Sequence, residues 1–498
     1  MSTTFTTLPA LCAAVLLSQS VMVGRAASGK AIPAAPTFTE HIAPILFQNC
    51  ASCHRPGEIG PFPLLTYDDA RKRARQITEV TASRFMPPWH AEAGHVELLN
   101  PRVLTAAQIT TIRRWHERGA PEGNRRKLPK LPAFPEGWQS GKPDLVLKMD
   151  QPFKLYAEGR DLYRNFVFPL NLPEDKYVRA IEFRPGNRSI VHHALFYLDA
   201  SGEARAADAA DAEPGYEDKG RAGRKYSAVG GWAVGSNVRW LPEGLGYRYP
   251  QGADLVVQTH FHPIGKAEEE LTTIGLYFTD KPKRSFVGVQ LPPAFGEISG
   301  IDIPAGEARY VVRDSLTLPV DVEAFAVAAH AHYLGKEMTM KAVLPTGQQL
   351  VLLRMPDWDF AWQEQYTFKH HLKLPKGTRL ETEMVYDNSA TNPRNPTSPP
   401  VRVKWGPASK DEMGSITLQV VAAREEETAA LREVLKDHAA DMVIDRAAAR
   451  TKRAGLVKAM FDRFDKNGDG QLQEEERPEL RRFIKQSEWL PGGLNNTF

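Results

Sequence analysis

Cysteine is scarce in this chain, with three residues among 498 positions. Cys12 lies in an apolar N-terminal stretch, and only Cys50 and Cys53 remain beyond it, so the sequence offers no framework of structural disulfides. Stability must therefore come from packed cores. No apolar run approaches the ~20 residues that a membrane-spanning helix needs, so we expect no membrane span.

The chain also lacks a large excess of positive or negative charge. Sixty-three Lys and Arg residues face 60 Asp and Glu residues, which gives a net charge of +3, and the basic residues are scattered. Nucleic acids and anionic membranes bind clustered basic residues, so we expect neither as a partner. The content of 42% hydrophobic and 25% charged residues is typical of globular proteins, and the length requires more than one core.

The first 26 residues are predicted to be a secretory signal peptide. Residues 8–23 are apolar and rich in small side chains, and Gly24-Arg25-Ala26 resembles a cleavage site. No Lys or Arg precedes the apolar stretch, and Ser18-Gln19-Ser20 interrupts it, so a disordered N-terminus is the alternative. We predict an exported protein, periplasmic or extracellular.

The patterning of the remaining chain predicts a multidomain protein. Residues 37–125 have helical periodicity, which predicts a small all-α domain. Alternating runs of Val, Tyr, Phe and Thr predict two antiparallel, jelly-roll-like β-sandwiches, at 144–295 and 296–423. Residues 426–498 are rich in Ala, Glu, Arg and Lys, which predicts an α-helical segment.

A haem attachment motif lies near the start of the helical domain. Cys50-Ala-Ser-Cys53-His54 has the spacing for two thioether bonds to haem, with His54 bound to iron, so residues 37–125 are predicted to be a cytochrome c-like domain. A thioredoxin-type redox pair is the alternative, but it would not require His54. The sixth iron ligand is predicted to be Met86, a thioether donor followed by proline, with His90 as the second candidate and core packing as the other interpretation of Met86.

Three pairs of histidines fall within the β-patterned region. Residues i and i+2 of a strand share a face, so His330 and His332 can converge on one metal ion, as can His260 and His262. The adjacent residues His192-His193 would point to opposite faces of a regular strand, so joint ligation requires a bulge or a strand end. A lone strand histidine is usually structural, but three pairs in one region favour metal binding.

The C-terminal segment contains an EF-hand loop at 465–476. Acidic or amide side chains occupy positions 1, 3 and 5, followed by glycine at position 6 and glutamate at position 12. An acidic connection between helices is the alternative, but it would not require this register. The predicted calcium ligands are Asp465, Asn467, Asp469, the carbonyl oxygen of Gln471, and Glu476.

Four motifs in order resemble the type II copper, ascorbate-dependent monooxygenases, the family of the peptidylglycine and dopamine hydroxylating enzymes. They are Ser189-Ile-Val-His192-His193-Ala-Leu, Val257-Gln-Thr-His260-Phe-His262-Pro, His330-Ala-His332-Tyr-Leu-Gly335-Lys and Lys410-Asp-Glu-Met413.

The resemblance implies two copper ions, one in each sandwich, across a solvent-filled cleft. His192, His193 and His260 would hold an electron-transferring copper; His330, His332 and Met413 would hold the catalytic copper, at which O2 reacts. A thioether favours Cu(I), and catalytic zinc sites do not use methionine, so Met413 separates this interpretation from a zinc hydrolase.

Ala328 and three further histidines limit what the resemblance implies about the substrate and the site. Ala328 stands two positions before His330, where the peptide-amidating members carry a carboxylate-binding arginine, so a glycine-extended peptide substrate is not expected. His262 is expected to support the site or to lie on the strand surface, and the pair His370-His371 is expected on a strand surface.

These features together predict a copper-dependent monooxygenase that hydroxylates a C–H bond of a small organic substrate with O2. Its cofactors would be two copper ions, one covalently bound haem c and one calcium ion. Electrons would come from ascorbate, from a similar donor, or from the fused haem with its own redox partner. The alternative is an exported copper and haem electron-transfer protein without enzymatic activity.

Overall fold

The computed structural model describes residues 32–448, 462–468 and 472–486, apart from residues 57, 59, 135–136, 160, 218–225 and 234–237. The predicted signal peptide, Asp469 and Gln471 lie outside the described residues. None of the described helices has both the length and the apolar character needed to cross a membrane.

Alternating β-branched and aromatic residues build a first β-sandwich, in which two antiparallel sheets pack on one core. One sheet has the order β1-β12-β4-β8 with β9 beside β4, the other β6-β3-β10-β5-β7, and β2 pairs with β11. Side chains such as Val178, Phe183, Phe196 and Leu276 fill the core between them. The strands are β1 (Leu145–Lys148), β2 (Phe153–Leu155), β3 (Leu162–Pro169), β4 (Lys176–Arg184), β5 (Val191–Asp199), β6 (Tyr216–Glu217), β7 (Ser227–Ala233), β8 (Arg239–Trp240), β9 (Tyr247–Tyr249), β10 (Asp254–Phe261), β11 (Glu268–Glu270) and β12 (Thr273–Thr279).

A second sandwich has the sheets β13-β22-β16-β19 and β15-β20-β17-β18, with β14 paired to β21 at the side. Its core includes Val327, Met340, Leu353 and Leu418. The strands are β13 (Phe286–Leu291), β14 (Asp302–Ile303), β15 (Tyr310–Thr317), β16 (Val322–Ala331), β17 (Gly335–Val343), β18 (Gln349–Met355), β19 (Gln365–Leu374), β20 (Arg379–Tyr386), β21 (Val403–Lys404) and β22 (Gly414–Ala422).

The division between the sandwiches differs from the predicted one. Strand β13 was expected in the first sandwich, but Phe286 to Leu291 pair along their whole length with β22 of the second. The boundary therefore lies between Thr279 and Phe286 rather than after residue 295. Alternation of apolar residues shows that β13 is a strand, but it does not show which partner the strand will choose.

The helical unit before the sandwiches has its own core, in which Phe38, Leu46, Ile112 and Trp115 are fully buried. Its last helix begins at a capping box between Thr105 and Gln108. The helices are a π-helical turn (Phe38–Ile42), α1 (Ala43–Asn49), α2 (Tyr67–Lys72), α3 (Ala74–Ala82) and α4 (Ala106–Glu117), followed by a 3-10 turn (Arg125–Lys127).

Part of this N-terminal region packs on the second sandwich. Leu98 forms a β-bridge with Phe368 on β19, and the backbone N–H of Leu99 donates to the carbonyl of Thr367 at 2.8 Å. Trp89 packs edge-on against Tyr366, with ring centroids 4.9 Å apart. The segment after Met86, predicted as part of a separate helical domain, therefore extends the sheet of the second sandwich.

The remaining helices lie on the surface of the sandwiches. A helix at Glu203–Ala210, here α5, lies in the first sandwich, and 3-10 turns occupy Pro293–Gly296 and Glu425–Glu427. Among the described residues, the helices that follow the second sandwich are α6 (Thr428–Ala448) and α7 (Arg477–Gln486). They pack through a small core that includes Ala440, Ile444, Leu480 and Ile484.

Candidate metal centre

The first histidine set meets at a β-bulge between β5 and β10. In the register of these strands His260 pairs with His193, and the next pair is Phe261 with Val191, so His192 is the extra residue. A bulge bends the strand and re-aims the side chain at the extra position. Adjacent histidines, which a regular strand would separate, can thus turn toward the same point.

The Nδ1 atoms of these three rings converge. Nδ1 of His193 lies 3.0 Å from Nδ1 of His192 and 3.3 Å from Nδ1 of His260, and one ligand atom from each ring falls within 4.8 Å of the others. Neutral imidazole nitrogens at this spacing can bind one metal ion in the middle. The three rings could therefore hold one metal ion through three nitrogen atoms.

Asp161 supports this set from behind. Its carboxylate lies 2.9 Å from Nε2 of His260 and 2.9 Å from Nδ1 of the exposed His262. Burial alone would raise the pKa of Asp161, but its hydrogen bonds with the two histidines lower that pKa to about 2. The ionised carboxylate accepts from Nε2–H of His260 and so leaves Nδ1 of that ring for a metal.

The second set lies where the end of β16 and the start of β22 are side by side. His330 pairs with Ser415 and Ala331 pairs with Gly414 in this ladder. Continuing the register by one residue places Met413 opposite His332, on the same sheet face as His330. His330, His332 and Met413 all line one cavity, and the two imidazole rings are 5.3 Å apart between centroids.

Hydrogen bonds fix the opposite nitrogens in this set. Nδ1 of His330 lies 2.5 Å from the side-chain oxygen of Gln363, and Nδ1 of His332 lies 3.0 Å from the carbonyl oxygen of Asp411. Both oxygens are acceptors, so each Nδ1 carries the proton and each Nε2 is left as a donor to metal. The first set therefore offers Nδ1 atoms to a metal ion, whereas the second set offers Nε2 atoms.

Glu412 contacts the backbone of both segments that carry the second set. Its fully buried carboxylate accepts from the backbone N–H groups of His332 at 2.5 Å, Leu334 at 2.9 Å and Met413 at 2.9 Å. Burial raises the pKa of Glu412 to about 8, although these backbone hydrogen bonds oppose the rise. One side chain therefore sets the position of two candidate ligands on different strands.

Burial keeps four of the histidines in the two sets neutral. It lowers the pKa of His192 to about 4, of His330 to about 4 and of His332 to about 3, and it lowers the pKa of His193 well below the usual value. A neutral imidazole keeps a free lone pair. At neutral pH these four rings can bind a metal ion without losing a proton first.

The phenyl ring of Phe360 lies between the two sets. Its centroid is 6.1 Å from that of His192 and 5.4 Å from that of His332, and the side chain is 4% exposed. The resemblance implied an open, solvent-filled cleft between the sets; here an apolar ring separates them. A cavity of about 1550 Å³ runs beside this ring and is lined by residues of both sandwiches, including His193, His330 and Met413.

The sandwiches also meet through Tyr163. Its ring stacks on His260, with centroids 4.3 Å apart and planes 9° from parallel. Its hydroxyl lies 2.8 Å from that of Ser409 in the second sandwich. Burial raises the pKa of Tyr163, so the hydroxyl stays protonated. The position of a first-set ligand is therefore coupled to the loop that precedes Met413.

The predicted haem motif lies at the end of α1. Nδ1 of His54 is 3.0 Å from the carbonyl oxygen of Phe62, which leaves Nε2 as the free donor. Burial, with the nearby Cys53 as a smaller cause, raises the pKa of Cys50 to about 12. Met86 is half-buried beyond α3, whereas His90 contacts the carbonyl of Asp357 in the second sandwich at 3.0 Å.

The described parts of the predicted calcium loop form a closed turn. Asp465 accepts from the backbone N–H of Gly468 at 2.7 Å, and Glu476 accepts from those of Lys466 at 2.7 Å and Gln473 at 3.0 Å. Glu476 is buried, and Asn467 donates to the side-chain oxygen of Gln473 at 3.3 Å. The loop therefore turns the first and last predicted ligands toward its own backbone.

Several residues of the site had no signal in their local sequence. Asp161, Gln363 and Phe360 act through partners far away in the chain, and nothing around them marks a metal site. Glu412, by contrast, lies inside the motif that contains Met413. His370 and His371 are exposed on β19. Ala328 lines the cavity of about 1550 Å³ beside Phe360.

Comparison with known proteins identifies one region. Residues 312–417 match the C-terminal domain of the copper type II ascorbate-dependent monooxygenases. His330, His332 and Met413 fall within this span, and the first histidine set falls outside it. The match supports copper-dependent monooxygenase activity in general, with copper and ascorbate as the cofactors of that family.

The other comparisons add no closer relationship. No curated protein matches the chain. Among solved structures it is similar to PNGase F, a glycosylasparaginase from Flavobacterium meningosepticum, with 13% identity and a TM-score of 0.26 over 56% of this chain and 95% of that one. It is also similar to the VP2 subviral particle of infectious bursal disease virus, with 9% identity and a TM-score of 0.18 over 58% of this chain and 75% of that one.

Proposed function

We propose that this protein hydroxylates a C–H bond of a small organic substrate with O2, using one copper ion at each histidine set. The observation that carries the proposal is that the convergent rings of His192, His193 and His260 and the pair His330 and His332 lie on either side of Phe360, beside one cavity that Met413 also lines. Bound copper would supply the one-electron redox chemistry and the binding of O2.

The protein groups have separate tasks in this proposal. His330, His332 and Met413 form a site with one thioether, which stabilises reduced copper, and the large cavity beside them accepts the substrate. His192, His193 and His260 form an all-nitrogen site suited to storing an electron. Gln363, Asp411 and Asp161 hold the rings in the tautomers that leave the metal-facing nitrogens free.

Phe360 limits the entry of water between the two sites. This phenyl ring is 4% exposed and contacts rings of both sets, so it fills the space through which water would otherwise reach them. Excluding water limits side reactions and strengthens the electrostatic interactions inside the site. The substrate would approach from the cavity side, where His330 and Met413 are accessible.

Hydroxylation with one O2 requires two electrons beyond those that the substrate gives. In this proposal an ascorbate-like donor supplies them, or a haem c attached at Cys50 and Cys53 and bound by His54 and Met86 passes them to the first copper. The hydrogen bond from His54 to Phe62 supports iron binding at Nε2. Stopped-flow mixing of haem-reduced, copper-loaded protein with O2 and substrate tests the transfer, since haem that stays reduced during turnover would exclude it.

Two further assignments complete the proposal. Asp465, Asn467 and Glu476, with Asp469 and the carbonyl of Gln471, would bind one structural calcium ion, because the described loop residues already fold into a turn. Haem c attachment and the apolar first 26 residues favour export to the periplasm or beyond.

The first experiment is elemental mass spectrometry of protein matured in a haem c-competent host and exposed to copper. About two copper ions and one iron per chain are expected from the two donor sets and the haem motif. Zinc at these sites, or no retained copper, would favour a hydrolase or a vestigial site. Substrate-dependent O2 consumption then separates a monooxygenase from an electron-transfer protein.

Met413 provides the sharpest variant. Met413→Ala should keep the fold and the haem spectrum but abolish oxygenation, because the thioether is the only soft donor of the second set. Met340→Ala, a buried methionine in the core of the same sandwich, is the matched control for loss of a methionine side chain. Oxygenation retained in Met413→Ala would remove the thioether from the mechanism.

A further inference from the structure

Arg239 reaches from the first sandwich to the second. It lies on β8, which pairs with β4 in a sheet of the first sandwich. Its guanidinium group donates to the side-chain oxygens of Gln365 on β19 and Gln419 on β22. The side chain also lines the cavity of about 1550 Å³ beside Phe360. Arg239 therefore places a cation in the wall of the cavity that reaches both histidine sets.

The protein does not neutralise the charge of Arg239. Its hydrogen bonds go to neutral groups, which are two glutamine side chains and the hydroxyl of Tyr247. Within the part of the chain that the structure describes, no carboxylate lies within 4.0 Å of this guanidinium group. Burial lowers the pKa of Arg239, and the hydrogen bond with Tyr247 opposes this. A cation held away from water without a counter-charge is costly, so this position favours an anion that comes from outside the protein.

Two further arginines that line the cavity differ from Arg239 in this respect. Arg102 pairs with Glu364, and Arg394 pairs with Asp357 at 2.7 Å. Carboxylates of the protein already offset these two charges. Arg239 is therefore the better candidate to bind an anionic ligand.

Arg239 also has N–H groups left to donate. A guanidinium group carries five N–H donors, two on each Nη atom and one on Nε. Nη1 donates to Gln365 and Nη2 donates to Gln419, so in these contacts each Nη atom keeps a second N–H. Two N–H groups of one guanidinium can bind both oxygens of a carboxylate, and such pairs are strong where water is excluded.

The strand register gives the distance from this cation to the second histidine set. On β16, Ala328 lies two residues before His330 and pairs with Gln365, and Gln419 pairs two residues further along β16. A strand rises about 3.4 Å per residue, so the two partners of Arg239 lie about 7 Å and 14 Å along the sheet from His330. Residues two apart share a sheet face, and Ala328 contributes only a methyl group between them. The cavity is therefore open along the sheet from Arg239 to His330.

The rest of the cavity wall is rich in aromatic rings. Phe295 is 42% exposed, and its ring packs edge-on against His330 with centroids 5.3 Å apart. Its carbonyl accepts from Nε1 of Trp405 at 3.0 Å, which holds the ring beside the second set. Further aromatic residues of the wall are Trp89, Trp232, Trp240 and Tyr333. Such a wall fits an apolar ligand body.

We propose that Arg239 binds a carboxylate at one end of an otherwise apolar substrate and determines the specificity of the site for such substrates. The reacting carbon would lie about 7–14 Å from that carboxylate, beside His330 and Met413. The inference rests on the proposed function, because it assigns the ligand of this cavity as the substrate. It adds the substrate class, an amphipathic carboxylate, and the residue that recognises it.

The test compares two ligands of equal chain length, octanoate and octanamide. Octanoate is anionic at neutral pH, whereas octanamide is neutral. Their binding to the full-length, copper-free protein is measured by isothermal titration calorimetry at pH 7, so that neither ligand can bind to copper. Wild-type protein should bind octanoate more tightly than octanamide.

Two variants remove the free charge in different ways. Arg239→Gln should weaken octanoate binding about 10–100-fold, because a charge-assisted pair is lost, and should change octanamide binding less than about threefold. Gln365→Glu keeps Arg239 but places a carboxylate against it, so it should weaken octanoate binding by a similar factor. Arg394→Gln is the matched control, because Asp357 already offsets the charge of this arginine in the same cavity. It should bind both ligands as the wild type does.

Equal losses of octanoate and octanamide binding in Arg239→Gln would show that Arg239 only joins the two sandwiches, and would overturn the proposal. Unchanged octanoate binding in the variants, or wild-type protein without a preference for octanoate, would overturn it too. Should Arg239→Gln not fold, Gln365→Glu tests the same charge. The titration needs neither copper nor O2, so its failure is distinct from failure of the monooxygenase function, which metal content and O2 consumption test.

Discussion

Acid should destabilise the copper-free protein in a defined pH window because its candidate ligands are buried as neutral imidazoles. The pKa of an ordinary histidine, 6.5, is lowered by burial to about 4 in His192, about 4 in His330 and about 3 in His332. Above this window the folded and unfolded chains both hold these rings neutral. As the pH falls below 6.5 the unfolded chain binds protons that the folded chain does not. The free energy of unfolding therefore falls until the pH reaches the histidine pKa values of the folded protein.

The size of the effect follows from these values. One pKa unit corresponds to about 1.4 kcal/mol. At pH 5 each ring therefore lowers the free energy of unfolding by about 2 kcal/mol, and three rings lower it by about 6 kcal/mol. Domains are commonly stable by about 5–15 kcal/mol, so this loss is a large fraction of the total. Bound copper occupies the lone pairs and should move the loss to lower pH.

The assay is denaturant unfolding of the copper-free protein across the window, followed by circular dichroism. A variant with His330→Gln and His332→Gln should lose about 4 kcal/mol less stability between neutral pH and pH 5, because two of the three groups are gone. The matched control replaces the exposed His370 and His371 by Gln and should behave as the wild type. Equal acid sensitivity in all three proteins would refute the reasoning.

Three further predictions concern single side chains. Phe360→Ala should lower the free energy of unfolding by about 3–5 kcal/mol, as measured by denaturant titration, because the ring is buried between the two sets. Asp161→Asn should weaken copper binding at the first set about 10–100-fold in a competition titration, since the carboxylate orients His260; unchanged affinity would contradict this. Gly60→Ala should reduce the covalent haem content seen in the visible spectrum, because the added Cβ would lie 2.8 Å from Nδ1 of His54; full haem content would show that the loop adjusts.

The elements with short-range signals were predictable from the sequence. A threonine followed three residues later by glutamine is the sequence pattern of a capping box, and Thr105 and Gln108 form one at the start of α4. The alternating patterns predicted the antiparallel sheets that the structure contains. The match of residues 312–417 supports the copper monooxygenase interpretation in general terms. These features depend on residues close together in the chain, where periodicity and side-chain type carry the information.

Other features depended on which strand pairs with which. The partner of β13 and the packing of the segment after Met86 on the second sandwich were both missed. A strand pattern specifies a face to bury, but its neighbour is chosen by long-range packing.

The sequence by itself determined the kinds of donor atoms: three pairs of histidines in strand-patterned segments, a methionine in a matching motif, and a haem attachment motif. Only the tertiary structure decided their geometry. The bulge at His192 turns adjacent rings to one point, and Phe360 separates the two sets. Hydrogen bonds from distant residues decide which ring nitrogen is free. The physical reason is that donor chemistry is a property of single residues, whereas register, tautomer and burial arise from contacts between residues far apart in the chain.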